Sequence, residues 1–375
     1  MSRAAVPSRT VRPQRSKPKP SPRRWWPRLL LVAAAVALAL LPMSAAGIDR
    51  VYSRGIYILL QPIVTSISSV VPFALLDAWV AGAALWVCVR LFRVVRAAPH
   101  RGRSAVVLLA DAVVLAAALY VVFLGLWGLN YRRLPITAGV DFSAARVTPR
   151  AVEAFAHRAA DEVNGLYESA HADASATDTL AAVRVRLAPA FAAAQRDLGA
   201  TRLATGGRPK SSALALLFRW ASVDGMVNPF GLDVILNPDV LPVERPFVLA
   251  HEWGHLAGWA RESEASYVGW LTCLDGEASA RYSGWLSVYM TLRGAIPRAS
   301  LSALDASLAD GPRRDLDAIA HRLAAAQPLV RAVSWHTYDR FLKANRVPSG
   351  LASYDEVVTL LVGTAVDSAG KPRTR

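Results

Sequence analysis

Cysteine is scarce in this chain of 375 residues: Cys88 lies in a hydrophobic run and Cys273 stands far downstream. Two such residues give no disulfide framework, and neither has the C-x-x-C spacing of a zinc or redox site. Acidic residues are scarce in the first third. Residues 1–133 hold 18 Lys and Arg but 3 Asp and Glu, which accounts for the whole net charge of +15. Residues 134–375 are balanced, 25 against 25. The excess charge therefore belongs to a tail and to loops between apolar runs. That pattern indicates membrane topology signals and argues against nucleic acid as a partner. Internal repeats and Gly-rich phosphate loops are also missing.

Residues 1–28 read as a disordered basic tail, rich in Pro, Arg, Lys and Ser through residue 24. Three apolar runs follow in a membrane region over 29–133, with spans expected at about 29–46, 73–92 and 105–129. The small residues Met43-Ser44-Ala45-Ala46 also fit a signal-peptide cleavage site, but the long basic lead favours a retained helix with Trp25 and Trp26 as interfacial anchors. Residues 56–71 are apolar with Gln61, Thr65 and three Ser, suited to the membrane surface or to the lining of a bundle. Asp77 and Asp111 lie near span ends and receive no role. The tail has 9 Lys and Arg, and the loop between the second and third spans has Arg90, Arg93, Arg96, Arg101 and Arg103. The loop between the first two has only Arg50 and Arg54. The positive-inside rule then places the N-terminus in the cytoplasm and residues 134–375 on the outer side.

Residues 134–375 read as mostly helical. Helical spacing covers 151–167, 178–198, 263–274, 278–292, 313–326, 329–344 and 354–364, with a loop over 201–210. Alternation over 232–236, between Gly231 and Pro238, predicts a short strand whose edge could pair with an extended peptide. The central motif is His251-Glu252-Trp253-Gly254-His255, an H-E-x-x-H. Residues four apart share a helix face, so His251 and His255 can aim at one metal ion while Glu252 reaches a water on it. Pro246 suits the first turn of this helix, and Gly258 suits its end. Zinc is the expected cofactor, with three protein ligands and one open position. The metzincin spacing puts a third His at residue 261, where this chain has Arg261, a cation that cannot ligate.

The stretch Glu262-Ser263-Glu264-Ala265 resembles the E-x-x-small pattern that gluzincin peptidases carry on a second helix. That resemblance implies Glu262 as third ligand, with Glu264 as the alternative. More widely, the chain resembles an uncharacterised family of bacterial membrane proteins, catalogued as a domain of unknown function, with a short membrane bundle before an H-E-x-x-H domain. The likeness rests on Pro246-Phe247, His251-Glu252, His255, Arg261-Glu262, Glu264-Ala265, Tyr282-Ser283-Gly284, Tyr338-Asp339 and Ser353-Tyr354, and covers most of the chain after residue 28. It transfers little chemistry.

The expected fold is mainly α: a three-helix transmembrane region, then a mostly helical, gluzincin-like metallopeptidase domain with little β over 134–375. The expected activity is zinc-dependent hydrolysis of a peptide or protein substrate, with Glu252 as general base. Tyr282, His336 and Tyr338 are possible donors to the oxyanion. The rival reading is a membrane scaffold or sensor with a structural or vestigial zinc site, in which Glu252 has no task. An intramembrane protease is excluded by Glu244, Arg245, Arg261, Glu262 and Glu264, too many charges for lipid-facing helices. Topology is open to direct test. A reporter active only outside the cytoplasm should be active when fused after Arg375 and silent when fused within 96–103. The reverse pattern would overturn the span count and the placement together.

Overall fold

The computed structural model describes residues 25–96, 101–173, 179–350, 352, 356–367 and 370–375. The expected basic tail up to residue 24 lies outside these residues, as do Ser353 and Tyr354. The first helix, α1 (Trp26–Leu40), stops earlier than the run of apolar residues does. Leu41 is extended, with ψ 125°, because Pro42 disfavours the helical conformation of the residue before it. The chain restarts at Ser44, whose hydroxyl accepts from the Gly47 amide. It then runs as one rod over Ala45–Val70, bent 112° from α1. The rod comprises α2 (Ala45–Gly47), a π-helical stretch Ile48–Tyr57 and α3 (Ile58–Val70). It stops as α1 does: Val71 is extended, ψ 126°, in front of Pro72.

Two long apolar helices follow, α4 (Leu75–Arg96) and α5 (Arg101–Leu126). Leu75–Arg96 and Ser104–Leu126 are long and apolar enough to cross a membrane, and α1 with its bent partner is a third candidate. Alone, the 15 residues of α1 rise about 22 Å, less than the roughly 30 Å of a hydrocarbon core. The expected first span over 29–46 is thus a shorter helix that turns aside at Pro42. The other two shift by a few residues. α1 and α4 both pack on α5. Asp111 of α5 pairs with Arg28 at 3.0 Å and also with Arg90, so this apolar-segment carboxylate links all three helices. At the opposite ends, Arg132 donates to the Leu38 carbonyl. Asp77 accepts from the Ser212 hydroxyl and the Ala213 amide. The C-terminal end of α1, the start of α4 and the end of α5 therefore meet on one side, against the rest of the chain.

The remainder is mainly helical with one small sheet. β3 (Asp233–Leu236) is its central strand, parallel to β1 (Pro209–Lys210) and antiparallel to β2 (Gly225–Asn228). The strand expected at 232–236 is therefore present but has no free edge. β1 and β2 are the edge strands of the sheet. Around the sheet lie α6 (Pro149–Asp173), α7 (Leu180–Asp197), α8 (Ala215–Ala221), α9 (Arg245–Leu256), α10 (Glu262–Leu274) and α11 (Ala278–Ala295). Then come α12 (Arg298–Ser307), α13 (Asp310–Leu323), α14 (Pro328–Ala344) and α15 (Glu356–Gly363). One hydrophobic core cluster joins Tyr52, Tyr57, Phe123 and Trp127 from the rod, α5 and its end to Trp253, Tyr267 and Trp285.

The expected boundary at residues 133 and 134 coincides with a dense set of contacts. Asp49 in the rod pairs with Arg133 at 3.0 Å, and both side chains are buried. Leaving one member of such a pair unpartnered costs about 3–5 kcal/mol. Arg133 also donates to the Gly258 carbonyl at 3.2 Å and lies 3.7 Å over the Trp259 ring. The turn that follows α9 is thereby fixed by the segment that follows α5 and by the rod.

Candidate metal centre

Two helices build the site. Proline at residue 246 opens α9 within its first two positions, where the missing N–H has no helical partner to lose. Gly258, at φ +82°, supplies the left-handed residue that turns the chain after Ala257. A side chain there would also meet Asn130, Tyr57 and Arg133 within about 3.3 Å. The chain reverses and α10 begins at Glu262. A Cβ on Gly254 would lie 2.9 Å from the Ala265 carbonyl oxygen, and one on Gly269 would lie 3.0 Å from the His251 amide nitrogen. The two backbones touch, so only small residues fit the crossing. This explains physically why a small residue stands three positions after Glu262.

The close crossing brings His251, His255 and Glu262 together. Their ligand-type atoms all lie within 4.8 Å of one another. Glu262 Oε2 is 3.2 Å from His251 Nε2 and 3.5 Å from His255 Nε2. Each imidazole is oriented by its other nitrogen. His255 Nδ1 donates to the Trp259 carbonyl at 2.8 Å, and His251 Nδ1 is 3.1 Å from Ser266 Oγ. Both Nε2 atoms are left facing the carboxylate, the arrangement in which histidines bind a metal. Two nitrogens and one carboxylate oxygen are a donor set that fits zinc with one position open.

The electrostatics follow from burial. Glu262 is only 2% exposed. Burial pushes its carboxyl up, but the two imidazoles outweigh this and hold it well below the ordinary carboxylate range. Burial would lower His255; the Glu262 carboxylate outweighs it and raises the imidazole to about 9. Glu262 also sits in the first turn of α10, where the helix dipole favours negative charge. Glu252 is different. It is 3% exposed, and burial lifts its carboxyl to about 7. Its Oε2 has no hydrogen-bond partner among the described residues. A Cβ on Gly225 of β2 would fall 2.6 Å from Glu252 Oε1, so this edge strand passes directly over the carboxylate.

The other residues singled out in the sequence separate clearly. Glu264 faces away from the cluster and accepts from the Ile136 amide at 2.9 Å. Tyr282 donates to Asp315 at 2.5 Å and packs against Tyr167 and His171. His336 is exposed on α14 and stands outside the cluster. Tyr338, also on α14, reaches the site and hydrogen-bonds Glu262 Oε1. Gly225, Ser266 and the Trp259 carbonyl were not anticipated. Ser266 had a readable signal, since it lies four residues after Glu262 on the same helix face. Gly225 had none, because β2 is four residues long and lacks alternation.

The fold and site together define a mainly helical chain with apolar helices of membrane-crossing length and a cluster of a half-buried histidine, a buried histidine and a buried glutamate. The sequence model of the family described as "Protein of unknown function (DUF3810)" matches residues 52–362. The chain belongs to this family. No curated protein and no solved structure matches it.

The geometry separates the two glutamates experimentally. Glu262→Gln should lose most bound zinc in equilibrium dialysis, whereas Glu264→Gln should keep it. Equal loss in both, or loss at residue 264 alone, would assign the third ligand wrongly.

Proposed function

We propose that the chain is a membrane-anchored zinc metallopeptidase of gluzincin type, holding zinc through His251, His255 and Glu262 and hydrolysing peptide bonds. The observation that carries this reading is Glu252. It is a buried carboxylate with an unpartnered oxygen, one residue beyond the first histidine of a convergent three-ligand set. A scaffold has no use for such a group, which burial makes costly to keep. When bound there, zinc supplies a Lewis acid for the scissile carbonyl and makes an attacking water more acidic. Glu252 takes the proton from that water on its carboxylate, holds it, and passes it to the leaving amine. Burial of Glu252 works toward keeping the accepted proton on its carboxylate until the amine leaves. The free edge of β2 offers backbone groups to an extended peptide. Tyr338, already at Glu262, is the best placed of the side chains that could donate to the oxyanion. The charge bias of the loops supports an extracytoplasmic site, with the N-terminus in the cytoplasm.

Purified full-length protein should cleave members of a mixed peptide library in a chelator-sensitive way. Glu252→Gln should keep zinc and fold while losing about 10²–10⁴-fold in rate. Gly225→Ala should also fold, because the clash is with the end of a flexible side chain, but it should displace the Glu252 carboxylate and lower kcat. Identical chelator-insensitive background from wild type and Glu252→Gln would contradict the peptidase reading.

A further inference from the structure

The second half of the rod, α3, is amphipathic in the reverse of the usual sense. Beyond Ile58 its buried side is polar. Gln61 and Thr65 are fully buried and Ser68 nearly so. Gln61 donates to the Thr205 carbonyl at 2.8 Å and accepts from its amide at 2.9 Å. Thr65 donates to the Leu232 carbonyl at 3.0 Å, and Lys210 donates to the Ser68 carbonyl at 2.7 Å. The opposite side exposes Ile56 (56%), Leu59 (56%), Ile63 (60%), Ile67 (65%) and Val70 (80%). These fall three to four residues apart, so they form one stripe along the helix. A stripe of this kind on a water-facing helix would be an exposed apolar patch with nothing to cover it.

The chain itself says what covers it. The rod begins five residues after α1 ends and stops five residues before α4 begins. Both connections hold it at the end of the apolar bundle, at the side where α1, α4 and α5 meet the rest of the chain. The apolar exposure continues through both joints: Leu40, Leu41 and Phe73 are 75%, 53% and 52% exposed. Arg50 is exposed near the start of the rod, where a cationic side chain can reach lipid phosphates; Arg54 beside it is held by Asp49 at 2.8 Å. The same level of the molecule holds the metal centre. Trp127, next after α5, donates to the His255 carbonyl at 3.2 Å, and Tyr57 of the rod donates to the Leu256 carbonyl at 2.9 Å.

We infer that the rod is half immersed in lipid: the stripe Ile56, Leu59, Ile63, Ile67 and Val70 faces the acyl chains of the leaflet nearest the metal centre, and the polar side is the seat on which that centre rests. The inference rests on α4 and α5 crossing the bilayer and is independent of any peptidase activity. It makes the rod a fixed interfacial element between two apolar helices rather than a loop, and it sets the height of the centre at the bilayer surface.

The test uses the full chain with Cys88→Ser, leaving the buried Cys273 in place, reconstituted in phosphatidylcholine–phosphatidylglycerol vesicles. Nitroxide labels are placed singly at Ile63→Cys, Ile67→Cys and, as a water-facing control on α12, Ser302→Cys. Power saturation then compares access to oxygen and to a water-soluble nickel chelate. Labels at 63 and 67 should favour oxygen several-fold over the chelate, and the label at 302 should favour the chelate. Chelate access at 63 and 67 equal to that at 302 would overturn the inference. Exclusion of both reagents with spin–spin broadening would also overturn it, because a second copy of the chain would then cover the stripe.

Discussion

Glu262 is a carboxylate taken almost wholly out of water, and the rest of the site is arranged around keeping it charged. Two imidazoles within 3.5 Å and the N-terminal turn of α10 offset the cost of its burial. That arrangement requires α9 and α10 to cross at backbone contact. Gly254 against Ala265 and Gly269 against His251 make the contact possible. Overpacking a crossing of this kind costs about 1–3 kcal/mol or more, and it would also withdraw the carboxylate from the histidines. Stability and site geometry therefore depend on the same small residues.

The turn between the two helices is held by groups from the rod and from the segment that follows α5. Arg133, Tyr57 and Trp127 each hydrogen-bond a carbonyl between His255 and Gly258. Arg133 is in turn neutralised by Asp49 in the rod that follows α1. The rod exists as a separate cross-piece because Pro42 and Pro72 end the helical paths on either side of it. The His251, His255 and Glu262 cluster and the apolar helices with the rod thus form one packed unit around a shared hydrophobic core cluster.

Much of this was legible from residue spacing. The motif helix, its end at Gly258, the pair of long apolar helices and the helical character of 134–375 all follow from periodicity, glycine and proline. Glu262 came from a resemblance; the structure adds that its carboxylate reaches both imidazoles because α10 approaches α9 closely at the small Ala265. Other features were hidden because they depend on contacts distant in sequence. Apolar composition carried the first span through to residue 46, although Pro42 marked the break at Leu41. The polar residues Gln61, Thr65 and Ser68 suggested a surface or bundle lining, but their partners, Thr205, Leu232 and Lys210, lie more than 140 residues away. β2 and the two-residue β1 are too short for alternation to register. Tyr338 and His336 were equivalent in sequence, and only the path of α14 distinguishes them.

The central claim is that His251, His255 and Glu262 form a metal centre. Metal analysis and X-ray absorption on the purified full-length protein test it directly. The account predicts about one zinc per chain in a shell of nitrogen and oxygen only, with two imidazoles at roughly 2.0–2.1 Å. A protein without metal after growth in zinc-replete medium, or a shell containing sulfur at about 2.3 Å, would contradict it.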